Sequence, residues 1–469
     1  MAIEAASVEA ASVGATGTEV VGPVSFAQRA VWAATQLDES GTAYLLTVRL
    51  PLRGQLDRDQ MLAGLRLLCV RHPALRTRFV SADGLYQVVD PPTAPSVECH
   101  DLTGSPDPAG ELERLAAAAA RTPFDLANEP SFRASLVRLA GDRHELVLTL
   151  HHIVCDATAV DTLLRDLAAI YNHLTTAVPL PPAPPRSPIA TAREEAVRWA
   201  TPAKQARLDA AAERLRGVPP LDLLRAEPGA PARPSSGGSH YFELDPELSA
   251  RVAELAARHR TSVFAVCLAA FAILLSRVLR ADDFVVGVPT EGRAVQPDED
   301  VVTCLANLVP VRLQITRDLT VADLLATARR ATLDVLADTD LPLESLVDRL
   351  SLPRDAGRHP LVRATCQMLH AGAAPLCFTG IDEITRPVSS LVAADVDSAK
   401  YDLALQVTHE GDRLVGSLGY RRDLFAEVVV AGWVQRLGVV LGGLVAGSGG
   451  LVSEVGVMSG VELDRVVRG

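Results

Sequence analysis

Cysteine is scarce in this sequence and widely dispersed, with seven residues in a chain of 469 and no CxxC pair. An odd, scattered set of thiols argues against a disulfide framework or a structural zinc site, and it indicates reduced cysteines in the cytosol. Basic charge is also in deficit, because the formal net charge is −12. A nucleic-acid polyanion is therefore excluded as the main partner.

Targeting and cofactor signals are missing as well. The N-terminus carries glutamate and no early basic cluster, so it is not a secretory signal. The most apolar segment, 262–279, approaches membrane-spanning length but contains Arg277 and leads directly into Asp282 and Asp283, which favours a buried core helix. No phosphate loop, zinc spacing or dinucleotide fingerprint occurs. We therefore expect a cytoplasmic protein with no membrane partner, no metal and no bound cofactor.

The chain is long enough for two sizeable domains, and its 48 % apolar and 22 % charged residues are typical of a globular protein. A proline-rich stretch, TTAVPLPPAPPRSP, divides it near the middle, because such a stretch sustains neither a helix nor an inner strand. The predicted organisation is a disordered tail at 1–21, a first lobe at 22–177, a linker at 178–190, a second lobe at 191–460 and a C-terminal tail at 461–469.

The most informative stretch is ELVLTLHHIVCDATAVDTLLRDLAAIYNHL, residues 145–174. Its apolar run, 146–150, is typical of a strand buried on both faces, and from Val160 onward the apolar residues recur with helical spacing. His151, His152 and Asp156 fall between the two patterns. A strand end followed by a helix is a rigid support, and histidine suits proton transfer near neutral pH.

Two other interpretations of this stretch compete with a catalytic histidine. A histidine beside an apolar strand is more often a satisfied core residue than a catalyst. Cys155, between the histidines and Asp156, is a possible thiol nucleophile. If residues 153–155 alternate as in a strand, its side chain points away from the neighbours of His152, and we predict a small buried residue.

The pattern HHxxxD, at residues 151–156, occurs together with several other motifs along the chain. Ser25, Ala27, Gln28 and Trp32 match an S-x-A-Q-x-R-L-W motif, and RHPALRTRF at 71–79 matches a second one throughout. Further along, motifs of the same series align with Gly287, Pro289 and Arg293, with Asn307, and with Asp340, Pro342 and Glu344. In this order, over about residues 22–460, the sequence resembles the condensation-domain superfamily of nonribosomal peptide synthesis, relatives of chloramphenicol acetyltransferase.

The resemblance implies an α/β fold of two chloramphenicol acetyltransferase-like lobes in a V-shaped pseudo-dimer, with the active site in the cleft between them. It implies that His152 acts on the reacting nucleophile as general base or hydrogen-bond acceptor, while His151 orients the local backbone. It further implies a buried structural ion pair between Asp156 and Arg293. The motifs at 71–79, with His72 and Arg76, are architectural in that family and stay outside the catalytic set.

The implied activity is that of an acyltransferase in natural-product (antibiotic-type) biosynthesis. Its partners are a carrier protein, loaded with an acyl or aminoacyl thioester on a phosphopantetheine arm, and a small-molecule alcohol or amine acceptor. No adenylation or carrier motif is found, so we expect a free-standing enzyme, with an excised domain as the alternative. A free-standing enzyme can use a soluble hydroxyl acceptor, which favours ester over amide formation. Ala157 replaces the usual motif glycine, which keeps open a catalytically silent domain that recruits a partner enzyme. An acyl-CoA-dependent acyltransferase is the third possibility.

Overall fold

The computed structural model describes residues 19–458 apart from 39, 93, 183–185, 222, 224–235, 294–299, 317, 354–358, 370–374, 385–398 and 448. The predicted C-terminal tail and residues 1–18 of the predicted N-terminal tail lie outside the described residues. The last two positions of the N-terminal segment, Val20 and Val21, belong to the first strand.

Strands and helices alternate through the first half of the chain, as the sequence predicts. They are β1 (Val20–Pro23), α1 (Phe26–Gln36), β2 (Leu45–Gly54), α2 (Arg58–Arg71), β3 (Thr77–Ser81), β4 (Leu85–Val89), β5 (Ser96–Asp101), α3 (Pro108–Arg121), β6 (Phe132–Ala140), β7 (Arg143–His151) and α4 (Ala157–Thr176).

The second half has the same mixed character. Its elements are α5 (Pro188–Trp199), α6 (Pro202–Leu215), β8 (Gly237–Glu243), α7 (Pro246–Arg258), α8 (Val263–Leu279), β9 (Asp283–Thr290), β10 (Asn307–Gln314), α9 (Val321–Ala337), α10 (Leu343–Leu350), β11 (Ala364–Leu369), β12 (Ile381–Ile384), β13 (Leu403–Glu410), β14 (Arg413–Arg421) and α11 (Glu427–Ala446).

Each half is built around its own sheet and core. The first sheet has the strand order β12-β2-β7-β6-β5, and the second has the order β10-β9-β11-β13-β14-β8. Strand β7 pairs antiparallel with both β2 and β6, and eight of its nine residues are buried. The apolar run of the sequence is therefore the interior strand of the first lobe. Helices α2 and α4 pack together beside this sheet.

The apolar helices are core helices because their side chains pack inside the second lobe. Helix α8 is capped by Ser262, whose hydroxyl accepts the N–H of Ala265 at 3.1 Å, and its residues from Ala265 to Ser276 are buried. This agrees with the prediction for 262–279. Helix α11 is long and apolar enough to cross a membrane by length and composition alone. It packs against α8, α7 and the sheet, with Trp433, Leu437 and Leu441 in the core.

The second lobe contributes one strand to the sheet of the first lobe, which the sequence did not predict. The chain of the second half adds β12 to the outer edge of β2 in the first sheet. Just before it, Phe378 is buried in the first core, with its ring 5.6 Å from that of Tyr171. Asn172 donates to the carbonyl of Cys377 at 2.8 Å and accepts from the N–H of Thr379 at 2.7 Å. The lobes are therefore held in one fixed arrangement on this side of the molecule.

Candidate active site

Main-chain hydrogen bonds hold both histidines at the end of β7. The N–H of His151 donates to the carbonyl of Ser131 at 3.1 Å, and the N–H of His152 donates to the carbonyl of Tyr44 at 2.7 Å. A tight turn follows, in which the N–H of Val154 returns to the carbonyl of His151 at 3.0 Å. Helix α4 then starts at Ala157, so the motif has a strand on one side and a helix on the other.

The side chain of His151 points into the protein and makes local contacts. It is 1 % exposed, and its Nδ1 accepts the N–H of Ile153 at 3.1 Å. Its Nε2 therefore carries the proton and lies 3.5 Å from the hydroxyl of Thr35. Burial, helped by the charge of Lys400, lowers the pKa of His151 to about 3. This histidine is a neutral group that fixes the turn.

His152 is only half-buried, and its imidazole lies in the cleft. The thiol of Cys304 lies 3.6 Å from its Nδ1. In a neutral imidazole one ring nitrogen carries the proton and the other keeps a lone pair that accepts a hydrogen bond. Burial first, and then the charge of Lys400, lower the pKa of His152 well below its ordinary value. The ring is therefore a neutral acceptor at physiological pH.

The carboxylate of Asp156 connects the two lobes, because one oxygen binds the first lobe and the other binds the second. Its Oδ1 caps α4 by accepting the N–H of Ala159 at 2.9 Å. Its Oδ2 accepts Nη1 of Arg293 at 2.7 Å and the N–H groups of Leu305 and Ala306 at 2.9 and 3.1 Å. Both charged side chains are only 3 % exposed. The structure thus brings together the pair expected across 137 positions, and the carboxylate also anchors the loop before β10.

Two residues beside the motif have simple structural settings. Cys155 is fully buried, and burial raises the pKa of its thiol well above the ordinary value, so it is no thiolate nucleophile. The expected burial is found, but a tight turn places the residue and not strand alternation. Ala157 is the exposed first residue of α4 and is not among the described residues with positive φ. Alanine at this position therefore introduces no backbone strain.

Three residues near His152 were not predicted as site residues, namely Tyr44, Cys304 and Lys400. The ring of Tyr44 is 6.4 Å from the ring of His152, in an edge-to-face arrangement, and Lys400 Nζ is 5.1 Å from the centroid of Tyr44. Burial raises the pKa of both Tyr44 and Cys304. Cys304 lies three residues before the motif residue Asn307.

Other motif residues hold the fold together. The side-chain amide of Asn307 donates to the carbonyls of Thr339 and Leu341 at 3.1 and 2.5 Å. His72 is buried with its Nε2 2.8 Å from the carboxylate of Asp166. Both roles are architectural, as expected for His72. Within the described ranges, no group of three or more His, Cys, Asp and Glu side chains is arranged to hold a metal ion.

The fold and the paired motif together define the class of the protein. The family model for the condensation domain matches residues 19–465, and the chain belongs to this family. Among curated proteins, chondramide synthase of Chondromyces crocatus is 30 % identical over 450 residues, which is 95 % of this chain and 11 % of the synthase. The chain therefore spans about a tenth of the length of that relative.

Solved structures show the same fold. The X-domain from teicoplanin biosynthesis matches with a TM-score of 0.80 at 24 % identity, covering 93 % of this chain and 97 % of that one; it has also been solved in a complex with OxyB. The first condensation domain of the calcium-dependent antibiotic synthetase, in complex with a substrate analogue, matches with a TM-score of 0.76 at 23 % identity, covering 94 % and 99 %. The predicted two-lobed, chloramphenicol acetyltransferase-like fold is confirmed.

Proposed function

We propose that this protein is an active, cytoplasmic condensation enzyme. It joins an acyl or aminoacyl thioester, carried on the phosphopantetheine arm of a partner carrier protein, to an alcohol or amine acceptor. The observation that carries the proposal is the state of His152. Its imidazole is neutral, so one ring nitrogen keeps a lone pair, and its ring lies in the cleft where the two lobes meet, with Nδ1 3.6 Å from the thiol of Cys304.

His152 acts on the acceptor in this reaction. The ring nitrogen that keeps the lone pair accepts a hydrogen bond from the acceptor hydroxyl or amine and takes its proton as the acceptor attacks the thioester carbonyl. The C–O or C–N bond forms, the C–S bond breaks, and the proton passes on to the departing sulfur. No oxidant, reductant or metal is needed for this balance. Because the pKa of His152 lies well below its ordinary value, the ring stays in the accepting form at pH 7.

The other motif residues hold His152 in place. His151 fixes the turn through the N–H of Ile153, and the N–H of His152 is tied to Tyr44. The ion pair of Asp156 and Arg293 holds the loop that carries Cys304 against the first lobe. An imidazole positioned in this way costs little reorganisation when the acceptor binds, which is the general advantage of a preorganised site.

A catalytically silent domain that recruits a partner enzyme is the second candidate. It is favoured by the fold shared with an X-domain that has been solved in a complex with another protein, OxyB. The strain-free setting of Ala157 weakens this alternative, because the change from the motif glycine leaves the backbone of the site undisturbed. An acyltransferase that uses acyl-CoA has the same site chemistry and differs only in the donor.

One experiment separates the three possibilities. The protein is incubated with a panel of acyl- and aminoacyl-loaded carrier proteins, with the matching acyl-CoA thioesters, and with paired amine and alcohol acceptors, and products are read by intact mass. We expect acyl loss from at least one carrier that depends on both enzyme and acceptor. Transfer from acyl-CoA without any transfer from carriers would contradict the proposal in favour of the third candidate. Loss from no donor would favour the silent domain.

A further inference from the structure

Lysine is nearly absent from this chain, and its two occurrences have different settings. Of the 45 basic residues, all are arginine except Lys204 and Lys400. Lys204 is neutralised, since its ammonium lies 2.8 and 3.0 Å from the two carboxylate oxygens of Asp340 and 4.6 Å from the ring of Trp199. Within the described part of the chain, no carboxylate oxygen lies within 4.0 Å of the ammonium of Lys400. Among the described residues, Lys400 is thus a cation without a carboxylate partner.

Lys400 and the reacting histidine share one neighbour, the ring of Tyr44. Its ammonium faces the ring of Tyr44, and that ring is 6.4 Å from both His151 and His152. Its charge is felt by both imidazoles, whose pKa values it lowers. Surrounding protein lowers the pKa of Lys400 itself to about 8, yet its side chain remains accessible to solvent.

Among the described residues, two acidic groups near this cluster are occupied elsewhere. Asp38 accepts hydrogen bonds from the hydroxyl of Ser40 at 2.7 Å and from the N–H of Ala43 at 2.8 Å. Glu344 lies 3.7 Å from Nε2 of His359. Both carboxylates act on Tyr44 over a distance, but neither forms an ion pair with Lys400. An ammonium that is accessible and has no carboxylate partner among the described residues can pair with an anion that enters the cleft.

We propose that Lys400 is an anion-binding residue of the active site, which receives a negatively charged oxygen of the reactants. Two sources supply such an oxygen. One is a free carboxylate on the acceptor or on the transferred acyl group, and the other is the oxyanion that forms on the thioester carbonyl during attack. The identity of these reactants rests on the proposed function, whereas the capacity of the site to bind an anion does not.

The scarcity of lysine makes a direct test practical. Reductive methylation with ¹³C-formaldehyde keeps the charge and labels only Lys204, Lys400 and the α-amino group, and the variants Lys400→Arg and Lys204→Arg assign the NMR signals. We expect the Lys400 signal to shift saturably with butyrate and not with butyramide, while Lys204 does not respond. With a pKa of about 8, butyrate should bind about 30-fold more weakly at pH 9.5 than at pH 7.

Other charged and titratable groups face Lys400, and the titration is read on its own signal for this reason. They are Tyr44, Cys304, His151, His152 and the more distant Asp38 and Glu344. A Lys400 signal that ignores butyrate, or that responds equally to butyramide, would overturn the proposal. This result is independent of turnover, so it is distinct from a failure of the proposed acyl transfer.

Kinetics with Lys400→Met and Lys400→Arg then separate the two sources. If the anion is a carboxylate on a substrate, Lys400→Met should raise KM by about 10- to 100-fold for that acid and leave its amide unchanged. If the anion is the reaction oxyanion, kcat should fall by about 10²–10³ with both. Lys400→Arg should restore part of either loss. Unchanged kcat and KM for both substrates in Lys400→Met would contradict the role in the reaction.

Discussion

At the scale of single residues, the two adjacent histidines have opposite surroundings. His151 is fully buried and satisfied by the N–H of Ile153, whereas His152 keeps an accessible ring with a free nitrogen. The simpler interpretation of a core histidine therefore describes His151 and not His152. Two neighbours in sequence differ in this way because the chain turns sharply at the end of β7, so consecutive side chains enter different environments.

The nature of the acceptor should decide how much the removal of His152 costs. An α-amine has a pKa near 8 and needs positioning more than deprotonation, whereas an alcohol attacks well only as its proton is removed. We expect His152→Ala to reduce turnover by about 10²–10⁴ with an alcohol and by much less with the matched amine. The measurement compares both acceptors with one loaded carrier. Equal losses would limit His152 to positioning.

Stability should fall in mild acid because of His151. Its pKa drops from 6.5 to about 3 on folding, so between these values the unfolded chain binds more protons and the folded state loses free energy as the pH decreases. At pH 5 the loss in free energy of unfolding is about 2 kcal/mol relative to pH 7. His152, whose pKa is also lowered on folding, makes this loss larger. Urea unfolding at both pH values measures the loss. In His151→Asn the pH-dependent part should be smaller by about 2 kcal/mol; an unchanged pH dependence would contradict the burial of a neutral histidine.

At the scale of secondary-structure elements, α4 and the loop before β10 meet at one carboxylate. Asp156 caps the helix with one oxygen and holds Arg293 and two loop N–H groups with the other. In an Asp156→Asn variant only one acceptor oxygen remains. The N–H₂ group that replaces the other oxygen is itself a donor and cannot accept from the groups that it faces. The site loop and the catalytic turn therefore depend on the same residue.

Breaking this pair should cost both stability and activity. We expect Asp156→Asn and Arg293→Ala each to lower the free energy of unfolding by about 3–5 kcal/mol, because each leaves a buried charge or buried N–H groups unpaired. The half-exposed pair of Asp283 and Arg312 is the matched control, and Asp283→Asn should cost about 1 kcal/mol or less. Denaturant unfolding measures all three. Wild-type stability of the Asp156 and Arg293 variants, with only the KM of the acceptor changed, would mean that these residues contact substrate.

Local patterns predicted the elements well and the assembled site only in part. Strand β7, the turn and α4 were predictable because the apolar period changes within thirty residues. Short polar side chains also mark helix starts, as Asp57, Asp245 and Ser262 each accept a backbone N–H in the first turn of α2, α7 and α8. The contact of Asp156 with Arg293 came from the family resemblance alone, since no local pattern links positions so far apart. Lys400 and Cys304 reach His152 only through packing of the second lobe, which periodicity does not encode.

At the scale of the whole molecule, strand β12, which the second lobe adds to the first sheet, connects the two lobes. Phe378 and the hydrogen bonds of Asn172 fix this strand to the first lobe, on the far side of β2 from β7. The ion pair of Asp156 makes a second connection at the cleft. The lobes are therefore connected at two separate places.

Loosening strand β12 should be detectable without a substrate. We expect Phe378→Ala to destabilise the protein by about 3–5 kcal/mol and to increase hydrogen exchange in β12 and the facing part of β2. Phe425→Ala, which opens the core of the second lobe beside Trp433, is the control and should leave exchange in β12 unchanged. Wild-type exchange of β12 in Phe378→Ala would show that the connection does not depend on this ring.

Single-turnover mass spectrometry tests most directly whether His152 drives acyl transfer from a carrier-bound thioester. A carrier protein that is a substrate of the wild type is preloaded and mixed with excess enzyme and an alcohol acceptor, and the acyl-carrier mass is followed with time. Wild type should discharge the carrier, and folded His152→Ala should do so about 10²–10⁴ times more slowly. Discharge at the wild-type rate by folded His152→Ala would contradict the account.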